Sequence, residues 1–114
     1  DLDSAFDALR PWIALYIGGM GAKGKNFYHD YATALGYGDV AGRIQDLYLA
    51  GQKTEAEALV PNSLLDEVSL IGSKERIIER LGPWKEAGKR GEVGTMLLGV
   101  HDPVVMELLA GELL

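Results

Sequence analysis

One short run constrains the fold of this chain more than any other feature. Gly94-Thr95-Met96-Leu97-Leu98-Gly99-Val100 is continuously apolar, in a sequence whose other apolar residues recur at spacings of three and four. Such a run reads as a strand buried on both faces, as in a parallel sheet covered by helices. A strand of that kind needs neighbours for its backbone N–H and C=O groups, and the chain offers no convincing second one. The segment Trp12 to Ile17 is the one alternative partner, and its helical stripe counts against it. The expectation is a mainly α chain with one short β-strand whose neighbours lie in sequence beyond these 114 residues.

The remaining elements read as six or seven helices. Leu2, Ala5, Phe6, Leu9, Trp12, Ile13, Tyr16, Ile17 and Met20 form one apolar stripe. Asp3 or Ser4 is the expected cap, and Pro11 predicts a kink or a second helix start, because an interior proline costs about 3 kcal/mol. Asn26 is positioned to cap a short helix that Gly36-Tyr37-Gly38 ends, with Asp39 capping the next and Gly51 stopping it. Thr54-Glu55-Ala56-Glu57 matches a capping box, and Pro61 closes that helix. Ser73 caps a helix carrying Ile77, Ile78, Leu81 and Trp84, weakened at Gly82-Pro83 and stopped by Gly88. Asp102-Pro103 is a cap followed by a first-turn proline and starts the last helix.

Composition narrows the function. A net charge of −6 argues against nucleic acid and against an anionic membrane surface as partners. The absence of cysteine removes disulfides, thiolate metal sites and a cysteine nucleophile. No apolar run reaches the roughly 18 residues of a membrane span, and no leader is visible at Asp1-Leu2-Asp3, so a cytoplasmic setting is expected. The missing initiator Met suggests a processed product or a piece of something longer.

Two places invite a chemical reading. Gly19-x-Gly21-x-x-Gly24 matches the dinucleotide fingerprint, and Gly19 to Lys25 matches a phosphate loop up to its last position, where Asn26 replaces the Ser or Thr that holds magnesium. Both motifs demand a strand before Gly18, where the periodicity is helical. The better readings are a helix–helix connection, or a turn whose amides meet an anionic ligand together with Lys23 and Lys25. His101 follows the strand directly, at the end where α/β folds place ligands, and is the third candidate ligand contact. The competing reading is a polar turn residue. His29 has no second histidine at helical spacing, so no metal site is expected. Glu75, Arg76, Glu79 and Arg80 read as solvated ion pairs, and Phe27, Tyr28 and Tyr31 as packing residues.

The order Arg10-Pro11-Trp12-Ile13-Ala14-Leu15-Tyr16-Ile17-Gly18-Gly19-Met20-Gly21, then Lys25-Asn26-Phe27-Tyr28, then Ile44 to Gly51, Val60-Pro61, Leu65 to Gly72 and the run Thr95 to Val100 resembles the C-terminal third of the luciferase-like monooxygenase superfamily. Within it the nearest likeness is to deazaflavin (coenzyme F-420)-dependent oxidoreductases. The resemblance implies the C-terminal part of an α/β (β/α)8 TIM barrel, a fold that needs at least about 200–250 residues. Residues 1–114 would then be one segment of a single domain, with a helical insertion over about 20–72, the last barrel strand over about 94–100 and a C-terminal helix over about 103–112.

The implied activity is hydride transfer between the deazaflavin and an organic small-molecule substrate, with FMN as the alternative cofactor and no metal. No catalytic residue of the family maps onto this segment, so the segment alone is expected to be inactive. Homo-oligomerisation is also expected. The charged stretch Lys89-Arg90-Gly91-Glu92-Val93-Gly94 departs from the family's direct passage from Ala-Gly into the last strand. The competing reading is a non-catalytic helical interaction or dimerisation domain.

Overall fold

The first stripe folds as a single helix. In the computed structural model, which describes residues 1–114, α1 spans Leu2–Gly19 with Pro11 inside it. The helix neither stops nor restarts at Pro11. Phe6, Ala14 and Ile17 are buried on one face, and burial of a Phe or Ile side chain contributes about 1.5–3 kcal/mol. That is enough to offset the ~3 kcal/mol the proline costs. The cap is Asp1, ahead of the expected Asp3 or Ser4: its carboxylate accepts from the Asp3 amide at 3.2 Å and the Ser4 hydroxyl at 2.8 Å.

The residues fall into two units, Asp1–Ser69 and Leu70–Leu114. In the first, α1 is followed by α2 (Phe27–Ala32), a kinked turn over Thr33–Tyr37, α3 (Gly38–Leu49), α4 (Lys53–Ala58) and α5 (Asn62–Val68). Gly36 breaks the path with φ +97°, so the predicted stop is real, but Asp39 lies within the first turn of α3 and does not cap it. The capping box at Thr54 is not formed. The helix begins one residue earlier, at Lys53, which puts Thr54 inside it and leaves Gln52 as a cap without a side-chain bond.

α1 packs on α3, α4 and α5. The core of this unit is aliphatic, with Ala14, Ile17, Ala41, Ile44, Ala56, Val60, Leu64 and Leu65 all buried. α1 and α3 approach most closely where Tyr48 lies over Gly18 and Gly19. A Cβ on Gly18 would stand 2.5 Å from the Tyr48 Cβ.

The second unit contains α6 (Lys74–Arg80), α7 (Gly82–Lys89) and α8 (Pro103–Leu113). Ser73 caps α6 by accepting from the Arg76 amide at 3.2 Å, and Asp102 caps α8 by accepting from Val104 at 2.9 Å. The break at Gly82-Pro83 is real: α6 and α7 are separate helices. Ile77, Leu81 and Leu109 form the core, with Leu70, Met96, Val100, Val105, Leu108 and Leu113 packed around them. Lys85 and Glu112 tie α7 to α8 at 2.6 Å.

The expected strand over Thr95 to Val100 is not formed. The segment is irregular and makes no ladder. Met96 and Val100 pack on the helical core, while Leu97 is 95% exposed. The physical reason is the one that made the run conspicuous in the sequence: no second strand exists in the chain to take its backbone groups. No helix is long and apolar enough to cross a membrane.

Candidate functional site

The glycine-rich turn between α1 and α2 is organised by Asn26. This side chain is 1% exposed. Its Oδ1 accepts from the His29 amide at 3.0 Å, which caps α2. Its Nδ2 donates to the carbonyls of Tyr16 and Ile17, each at 2.9 Å. The last carbonyls of a helix have no partner within it, so one amide side chain closes α1 and opens α2. Gly24, at φ +77°, supplies the left-handed residue of the turn, and the Lys25 amide donates to the Ala22 carbonyl at 2.9 Å.

α1 is helical through Gly19, which overturns both nucleotide-loop readings, because each needs a strand there. The turn is a helix–helix connection. Lys23 forms an ion pair with Asp46 of α3, and both side chains are exposed. Lys25 is exposed on the same turn. His101 belongs to the second unit, where it is exposed directly before the Asp102 cap. His29 stands with Nδ1 3.9 Å from Asp30 and with a buried Nε2 that has no partner. No three side chains of metal-binding type come together.

Sequence reasoning passed over an open groove beside α1. It has a volume of about 610 Å3 and is lined by Asp7, Arg10, Thr54, Glu57, Val60 and Asn62 among others. Arg10 spans it. The guanidinium donates to the Val60 carbonyl and to Asn62 Oδ1, and its Nε lies 2.8 Å from Asp7. All three contacts are made by one planar fork, so this cation is a clamp between α1 and the α4–α5 turn. The Arg-Pro pair in the first stripe was the only local signal, and it says nothing about partners fifty positions away.

The aromatic residues contradict the packing expectation. Phe27, Tyr28 and Tyr31 are 74%, 42% and 51% exposed, and Trp12 is 59% exposed. Their rings contact one another instead. Trp12 stacks on Tyr16 at 6.3 Å, Tyr16 meets Tyr28 at 4.7 Å, and Tyr28 meets Phe27 edge-on at 5.6 Å. α2 is short, and only Ala32 in it is buried.

Comparison with known proteins places this architecture. The luciferase-like monooxygenase family matches residues 2–91. The chain belongs to that family. It is 34% identical over 88 residues to a protein of Mycobacterium tuberculosis provisionally named a coenzyme F-420-dependent oxidoreductase. That match covers 77% of this chain and 25% of the relative, so the chain spans about a quarter of the relative's length. No solved structure matches.

Proposed function

We propose that this chain is a structural segment of an oxidoreductase that moves a hydride between the deazaflavin F-420 and an organic substrate. The observation that carries the reading is the family match across residues 2–91, together with a relative named for F-420. That name favours the deazaflavin over FMN. In this reading the helices belong to the outside of a (β/α)8 barrel, and Thr95 to Val100 becomes its last strand once neighbours are present. The unladdered, partly solvent-exposed state of that run supports it. A cytoplasmic setting is part of the same proposal.

The residues present do not fit the cofactor itself. A ring system of that kind binds in concave, mostly enclosed apolar pockets, and the groove beside α1 is open, with its arginine committed to Val60, Asn62 and Asp7. Lys23 is committed to Asp46. No step of the hydride transfer is therefore assigned to these residues. What they do is hold helix ends and turns in place through Asn26 and Arg10.

The test exchanges the matching segment of the M. tuberculosis relative for residues 2–91 of this chain, after F-420 binding by the parent has been measured. The expected result is a folded chimera that still binds F-420, while the 114-residue chain alone neither binds it nor transfers hydride. Turnover of reduced F-420 by the chain alone, or loss of F-420 binding by a folded chimera, overturns the reading.

A further inference from the structure

Two polar side chains lie almost wholly inside the chain, Asn26 at 1% exposed and Gln45 at 4%. Asn26 is satisfied by the turn between α1 and α2. Gln45 is not: its Nε2 is buried and makes no hydrogen bond to the protein. The Nε2 of His29 is in the same condition, buried and unbonded.

The packing turns these two nitrogens toward one junction. α2 packs on both α1 and α3. His29 and Thr33 share a face, because they are four residues apart and the Thr33 hydroxyl donates to the His29 carbonyl at 2.9 Å. Gly38 and Gln45 share a face of α3, because they stand about two turns apart. The two faces meet where Thr33 lies against Gly38: a Cβ on that glycine would stand 3.1 Å from the Thr33 methyl. Beside Gln45 in α3, Asp46 pairs with Lys23 of the turn that leads into α2. The flank of α3 that carries Gln45 is therefore the one turned to α2 and His29.

We infer that His29 and Gln45 hold one internal water between them. The two nitrogens do not bond each other directly. They are chemically complementary through a third atom. Gln45 Nε2 can only donate. His29 Nε2 accepts when the ring is neutral and carries its proton on Nδ1, the nitrogen that stands 3.9 Å from Asp30. A water that accepts from Gln45 and donates to His29 satisfies both, and about two to four polar partners is what a buried water takes. At about one buried water per 27 residues, a unit the size of Asp1–Ser69 ordinarily holds roughly two or three, so one here is no excess. Nothing that docks on the outside of the unit can take its place, because both nitrogens are shielded from the surface. The bridge gives α2, which buries only Ala32, a polar tie to α3.

The inference is independent of the hydride chemistry, and its test is solution NMR of the 114-residue chain. The Gln45 side-chain amide protons should show cross-peaks at the water frequency, with the sign of a water that tumbles with the protein. His29 Nε2 should resonate as an unprotonated nitrogen, with the ring proton on Nδ1. In His29→Phe, with circular dichroism unchanged, the Gln45–water cross-peak should disappear. Tyr31→Phe, on the exposed side of α2, should leave it as it is. The spectra of the unaltered chain decide the question if His29→Phe does not fold. A Gln45 amide without a water cross-peak, a proton on His29 Nε2, a scalar coupling that marks a direct bond between the two side chains, or a cross-peak that survives in folded His29→Phe overturns the inference.

Discussion

Asn26 donates its side-chain amide to the backbone carbonyl of Ile17 at 2.9 Å and, from the same nitrogen, to that of Tyr16. The carboxamide oxygen meanwhile accepts from His29. Only Asn offers donor and acceptor at this length, so replacement by Asp removes both donations and sets a carboxylate against two carbonyls in a site that is 1% exposed. Asn26→Asp is expected to destabilise the first unit by about 2–3 kcal/mol. Asn26→Ala loses the cap as well and is expected to fall in the same range or slightly above it. Urea unfolding followed by circular dichroism measures both. A change below half a kcal/mol would mean that the turn closes without this side chain.

Gly18 and Gly42 make opposite predictions. A Cβ at Gly18 meets Tyr48 at 2.5 Å, so Gly18→Ala forces α1 away from α3 and is expected to cost about 1–3 kcal/mol. Gly42 sits within α3 with nothing near its missing Cβ. Gly42→Ala is expected to stabilise by about 0.5–1 kcal/mol, the difference between Gly and Ala inside a helix. Thermal melts of the two variants side by side test the close approach, since propensity alone would stabilise both.

How far the sequence reveals this arrangement follows from the range of each interaction. The helices with a clear stripe or a local cap, such as the first and the last, are legible because period and capping act within a turn or two. The first stripe nevertheless hides a division: Phe6 and Ile17 face the core, whereas Trp12 faces outward. Periodicity records polarity and carries no information on which partner is present. The cap of α2 by Asn26 is legible and its bonds back to Tyr16 and Ile17 are not, since those depend on how the turn folds over. Thr54 shows the reverse failure, a correct local motif overruled by a helix that starts one residue early. The run Thr95 to Val100 has the apolar composition of a strand without the neighbours that make one.

Arg10 is the contact that no local pattern could reveal, because Val60 and Asn62 lie fifty and fifty-two positions along the chain. Arg10→Lys keeps the charge and loses the planar fork, so it is not conservative here. It is expected to destabilise the first unit by about 1–3 kcal/mol, mostly through the Val60 carbonyl left unpaired next to a side chain that is 1% exposed. Hydrogen exchange should show the loss locally, as faster exchange at the amides of Leu59, Val60 and Asn62 with α3 unchanged. Uniform loss of protection would instead point to general unfolding.

Acidification should act on the start of α6 in a defined direction. The Glu75 carboxylate is held below its ordinary value of 4.5, first by its own backbone N–H and then by the Ser73 hydroxyl, both donating to the charged form. A carboxyl whose pKa is lowered by folding contributes stability that is fully present above the unfolded value and lost as pH falls through the folded one. The contribution is therefore intact at neutral pH and disappears below about pH 4.5. Glu75→Gln abolishes the titration and keeps the shape. The variant is expected to be less stable than the parent at pH 7, where the helix dipole favours the anion. The gap between them should close as the pH drops below 4.5. Melts of both proteins across that range, read by circular dichroism, check the sign: a gap that stays constant with pH would detach Glu75 from the stability of this helix.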